Sequence, residues 1–203
     1  MAELEELNEQ IRHCRLCRLW QGATLAVPGE GPLNAKIMFV GEAPGFHEDQ
    51  QGRPFVGAAG NFLESLLQSI NLSRKDVFIT NVVKHRPPNN RDPQPDELAA
   101  CRPYLDRQIE LIKPKIIVTL GRYSMELAFS GVTISRIHGQ PKKVGDIIYF
   151  PMFHPAAALH QPRYRSLIEA DMQKIPQILA DLESVEEEEG EEGGAPPQQL
   201  SLF

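Results

Sequence analysis

Cys14 and Cys17 stand as a C-x2-C pair close to the N-terminus. In a reducing compartment that spacing argues for a metal or redox site over a structural disulfide. Three carboxylates, Glu42, Glu48 and Asp49, fall within one short stretch, and such groups can position water or face a cationic centre; Asp49 is expected to be a solvated surface acid. Asn81 follows the apolar run Val77–Thr80. Its amide offers a donor and an acceptor together, enough to read a complementary hydrogen-bonding edge, although asparagine serves equally as a turn or cap residue. Phe55, set between Pro54 and Val56, can stack on a flat ring or fill the core. His154 precedes Pro155; it can donate to a developing anion or simply sit in a loop.

These residues need a frame. Short apolar runs at Ile37–Val40, Val77–Thr80, Ile116–Leu120 and Ile147–Phe150 read as buried strands. Helical spacing separates them at 59–70, 96–112 and 122–129, recurs at 166–182, and opens the chain at 3–12 with Leu4, Leu7 and Ile11. That alternation predicts an α/β fold, a three-layer sandwich around a central, mostly parallel sheet. In such sheets ligands bind beyond the carboxyl ends of the strands. The chemistry-bearing residues follow those ends: Gly41-Glu42-Ala43-Pro44-Gly45 after the first run, Asn81 to Pro88 after the second, and Pro151 to Ala157 after the fourth.

The 203 residues suffice for one substantial core. Residues 1–182 are read as one domain, 183–198 as a disordered acidic linker, and 199–203 as a terminal peptide. The net charge of −6 is unevenly spread. Eight of the 27 acids and none of the 21 bases lie from Asp181 onward, which leaves 19 acids against 21 bases and a body at about +2. Such a body can present a basic groove to phosphate. With no apolar run of membrane-spanning length and an acidic N-terminus in place of a signal, the expected location is cytoplasmic, with no membrane partner, as a monomer.

Four segments in order, Gly41 to Gly45, Gly52-Arg53-Pro54-Phe55-Val56-Gly57, Thr80-Asn81 and His154-Pro155-Ala156-Ala157, resemble the motif set of the family 4, iron–sulfur uracil-DNA glycosylases. The resemblance covers roughly residues 10 to 175. It implies hydrolysis of the N-glycosidic bond of deoxyuridine in DNA, leaving an abasic site, after the base is flipped into a pocket. Phe55 would then stack on uracil, Asn81 would select it, and Gly41 and Ala43 would shape the pocket. His154 would donate to uracil O2 as negative charge develops, while Glu48, with Glu42 beside it, would position water or face the cationic sugar. Ala43 stands where family 1 enzymes carry an aspartate, so their water-activating residue has no counterpart here.

The resemblance also implies a [4Fe–4S] cluster on Cys14, Cys17 and Cys101, with His85 in place of the fourth cysteine. Imidazole does ligate some iron–sulfur centres, and a Cys3His set equally suits zinc. Leu159 is the expected wedge into the gap left by the flipped base, with Arg86, Arg91 and Arg163 as phosphate contacts and Lys84 as another. Gln199, Leu200, Leu202 and Phe203 resemble a bacterial peptide that docks on the replication sliding clamp. Two other functions fit the same residues: a non-catalytic uracil- or DNA-binding module, and a mismatch glycosylase of broader specificity.

Overall fold

Continuous runs of β-branched and aromatic residues belong in strands covered on both faces, and the two central strands, β1 (Ile37–Gly41) and β3 (Ile116–Leu120), are buried along their whole length. The computed structural model describes residues 2–192. With β2 (Phe78–Asn81), β4 (Lys142–Val144) and β5 (Ile147–Met152) they form one sheet in the order β2-β1-β3-β5-β4. All pairings are parallel except that of β4 with β5.

Alternate side chains along β1 point to opposite layers. Ile37 and Phe39 pack with Leu63, Leu66 and Leu67 of α3 (Ala58–Ser69) and with Ile168 and Met172 of α8 (Arg163–Met172). Met38 and Val40 pack with Leu4, Leu7 and Ile11 of α1 (Ala2–Arg12) and with Leu105 and Ile112 of α4 (Pro95–Ile112). The result is the expected three-layer sandwich. α4 starts sharply because Pro95 opens it and Glu97 accepts the Gln94 N–H at 2.8 Å, a capping box. Short helices complete the frame: α2 (Phe46–Gln51), α5 (Arg122–Met125), α6 (Ile134–Ile137) and α7 (Pro155–His160).

Departures from the sequence-based elements have physical reasons. β4 escapes the periodicity because all three of its residues are exposed and two are lysines, the composition that protects a sheet edge. The helix expected at 122–129 stops being regular after Met125. The pattern at 166–182 is two helices, α8 and α9 (Ile175–Glu192), where Lys174 turns to bond Asp171 and the Gly139 carbonyl. α9 runs on to Glu192, past the domain end expected at 182, since glutamate is a good helix former. The 199–203 peptide lies outside the described residues. Among the described residues no helix is long and apolar enough to cross a membrane.

Candidate active site

A cleft of about 370 Å³ opens at the carboxyl ends of the parallel strands, lined by Glu42, Ala43, Gly45, Glu48, Phe55, Asn81 and His154 among others. Register brings two of the motifs together: Gly41, the last residue of β1, lies directly opposite Asn81, the last of β2. A Cβ at Gly41 would stand 2.3 Å from Asn81 Oδ1 and 2.7 Å from the Phe55 ring, so only glycine lets both side chains close on the strand end. Asn81 is 1% exposed, and its Oδ1 has no hydrogen-bond partner among the described residues. A buried acceptor left unpaired costs about 1–3 kcal/mol, a cost that a bound N–H donor would remove.

Phe55 reaches the cleft from a strained backbone, with φ of 51°. A left-handed conformation at a bulky residue costs about 1–3 kcal/mol and persists only where surroundings impose it. Here two charged side chains do so. The Arg74 guanidinium donates to the carbonyls of Phe55, at 2.9 Å, and Pro54, while pairing with Glu30. On the other side of Phe55, Glu48 Oε1 accepts the N–H groups of Val56 and Gly57 at 2.8 and 2.9 Å, and its Oε2 accepts from Gly45 at 3.1 Å. Gly60 completes the clamp, since a Cβ there would lie 1.9 Å from the Phe55 carbonyl oxygen.

His154 caps α7: its Nδ1 accepts the Ala156 N–H at 3.1 Å. A neutral imidazole that accepts at Nδ1 carries its proton on Nε2. Burial holds this ring well below the usual histidine range, at about 4, against a small opposing pull from Glu48, so the neutral form is present at neutral pH. Its ring stacks on Phe55 with centroids 5.5 Å apart and planes 25° from parallel. Glu42 is raised above the ordinary carboxylate range by burial, partly offset by the N–H groups of Tyr123 and Arg122 at the start of α5. Cleft-wall donors, an unpaired acceptor and two carboxylates thus face one volume.

Several expected roles change. Asp49 is buried, not solvated, and accepts the Thr24 N–H at 2.8 Å. Lys84 is 0% exposed and so cannot meet phosphate; its Nζ donates to Thr80 Oγ1 and Gln108 Oε1 at 2.7 Å and to the Asn81 carbonyl at 2.8 Å. Arg91 lines the cleft but forks onto buried Glu97 at 2.6 and 2.8 Å, and this pairing holds the Glu97 carboxyl near 2. Arg163 lies exposed over the Tyr164 ring, and Leu159 on α7 is 49% exposed. Arg86 donates to Asn90 Oδ1 at 2.7 Å and, among the described residues, pairs with no carboxylate. Arg74 had no legible signal because its partners, Glu30, Pro54 and Phe55, lie far from it in the chain, and the burial of Lys84 had none because α4, which brings Gln108 to it, is separate in sequence.

Cys14, at the end of α1, and His85, after β2, line one open cavity. Cys101 on α4 packs beside Cys17, and the three thiols are near enough to influence one another electrostatically. Burial pushes the His85 imidazole down, so it is neutral and able to ligate. The donors suit a cluster or zinc in kind and neighbourhood, although among the described residues no three His, Cys, Asp or Glu side chains close into a ligand set. A metal would have to draw them in.

A cleft with an aromatic wall, an imidazole N–H and an unpaired amide oxygen suits a flat heterocycle bearing an N–H beside a carbonyl. By fold and site, this is an α/β protein built to hold such a ring at the end of a parallel sheet. Residues 28–181 match the Uracil DNA glycosylase superfamily, and the chain belongs to it. It is 53% identical to the Type-4 uracil-DNA glycosylase of Sulfurisphaera tokodaii, over 88% of this chain and 86% of that protein. Identity is 48% to the Type-4 enzyme of Saccharolobus solfataricus, over 89% and 88% of the two chains, and 46% to that of Archaeoglobus fulgidus, over 88% and 94%.

Proposed function

We propose that the protein is a DNA repair glycosylase that flips uracil out of DNA and hydrolyses its N-glycosidic bond. The observation that carries this function is the orphaned Asn81 Oδ1 on the cleft floor beside the Phe55–His154 stack. Uracil N3–H supplies the missing donor and uracil O4 accepts from the amide nitrogen. Cytosine presents the opposite pattern and leaves buried groups unpaired, the kind of mismatch that can cost ~10⁴-fold in rate.

As the C1′–N1 bond breaks, its electron pair leaves with the base and the sugar becomes cationic. His154 Nε2–H donates to uracil O2, stabilising the anion without having to lose a proton. Glu48 places negative charge opposite the sugar, but both its oxygens are engaged by backbone N–H groups. It therefore acts by charge and by shaping the loop. Glu42, raised by burial, takes the proton of the water that adds at C1′. Glu42 then returns that proton to solvent and the uracil anion takes one from solvent, so the products are free uracil and an abasic site, and Leu159 fills the vacated stack.

Cys14, Cys17, His85 and Cys101 would hold a [4Fe–4S] cluster, or zinc; either supplies structural cross-linking and no chemical step. Gln199, Leu200, Leu202 and Phe203 dock the protein, acting as a monomer, on a sliding clamp; loss of clamp affinity on deleting 199–203 checks this. The test of the main activity is multiple-turnover release of uracil from a uracil-containing oligonucleotide, beside Asn81→Asp on uracil and cytosine substrates. Turnover by the wild type with relaxed base choice in the variant is expected. Stoichiometric binding without release would make the protein a binding module instead.

A further inference from the structure

We propose that Phe46 and Arg86 form a second base-binding site at the cleft mouth, which holds the nucleotide next to the flipped uracil. The site rests on the excision activity proposed above but uses none of its catalytic residues. Phe46 opens α2 and is 52% exposed, the one exposed phenylalanine among the described residues. Leaving half of such a ring in water forgoes substantial burial. Two groups touch it: the Arg86 guanidinium lies 5.1 Å from the ring centroid, and the His47 ring meets it edge-on at 5.5 Å. The surface that stays exposed is offered to a base.

Arg86 is held for this purpose. Its Nε donates to Asn90 Oδ1 at 2.7 Å, and Asn89 and Asn90 both take left-handed φ of 54° to make the turn that presents that oxygen. Among the described residues no carboxylate pairs with Arg86, unlike neighbouring Arg91, whose charge Glu97 neutralises. An unpaired guanidinium stacked on an exposed aromatic ring offers a nucleotide both things it needs, a stacking platform and a phosphate contact. Position supplies the rest. Gly45, directly before Phe46, and Pro87 and Asn90, beside Arg86, line the same cleft that receives the base. A strand that inserts its uracil there must pass over this rim.

The occupant is therefore an unpaired deoxynucleotide of the uracil-bearing strand, recognised by stacking and charge without regard to base identity. The test is Phe46→Ala on a single-stranded uracil oligonucleotide. KM should rise roughly 5- to 150-fold, the range for one lost base–aromatic stack, with kcat within about twofold. Inhibition by free uracil, which senses only the pocket, should not change, and Phe46→Trp should restore KM. An unchanged KM, or a fall in kcat together with weakened uracil inhibition, would overturn the site. Anisotropy of a uracil-free single strand supplies an independent arm: weaker binding by Phe46→Ala supports the site even if the wild type releases no uracil, and equal binding removes it.

Discussion

The surroundings of His154 keep it from taking a second proton, by burial and by occupying Nδ1 with the Ala156 N–H, which is what the proposed role of uncharged donor requires. The same depression has a stability consequence. The folded imidazole titrates at about 4 against an ordinary 6.5, so between those values the unfolded chain binds the extra proton. Stability from this group is full above 6.5 and is lost as pH falls towards 4, by at most about 3 kcal/mol. Between pH 7 and 5 the wild type should lose about 2 kcal/mol more than His154→Gln, read from denaturant midpoints; equal losses would refute the burial argument. His154→Gln should also cut excision by about 10²- to 10³-fold, as loss of an oxyanion donor does. Arg74 acts one step further back. Arg74→Ala releases the strained Phe55 and should lower kcat by roughly 10- to 100-fold, yet add nothing in a Phe55→Ala background. Additive losses would mean that Arg74 acts elsewhere.

Elements place these residues through strand register. Gly41 and Asn81 meet because β1 and β2 end level with each other, and Gly41→Ala should abolish excision while the sheet still folds, measured by activity beside circular dichroism. Behind that junction, Lys84 joins β2 to α4 through Gln108, whose Nε2 donates to the Pro28 carbonyl at 2.7 Å. Lys84→Met leaves several buried acceptors without a donor, at about 1–3 kcal/mol each. A loss of about 2–5 kcal/mol in unfolding free energy is expected, and a value within error of wild type would show that water replaces the ammonium. The strands and the residues at their ends were legible because apolar runs and motif order are local signals. That Asn81, Phe55 and His154 would line one cleft could thus be read from sequence. What holds them in place was not legible: the fork of Arg74 on Phe55, the Lys84–Gln108 bond and the Asp49–Thr24 bond depend on partners distant in sequence, and the exposed edge strand β4 carries no apolar pattern.

At the scale of the molecule, one connection serves two sites. The stretch from Asn81 to α4 begins at the amide on the cleft floor, passes through His85, forms the cleft wall at Pro87, Asn90 and Arg91, and ends in the helix that carries Cys101. Cys14 and Cys17 approach from the end of α1, so a metal on these four residues would cross-link α1, α4 and the cleft wall. Its removal should therefore act on both stability and catalysis, through position and not through chemistry. Cys101→Ser is expected to lose bound metal, assayed by iron and zinc analysis with visible absorbance, to melt at lower temperature, and to show a raised KM before kcat suffers. His85→Cys should keep the metal and the melting temperature, since thiolate is the commoner cluster ligand, whereas His85→Ala should behave like Cys101→Ser. If both His85 variants bind metal and melt like wild type, His85 is no ligand, and its burial beside the cleft wall serves packing alone.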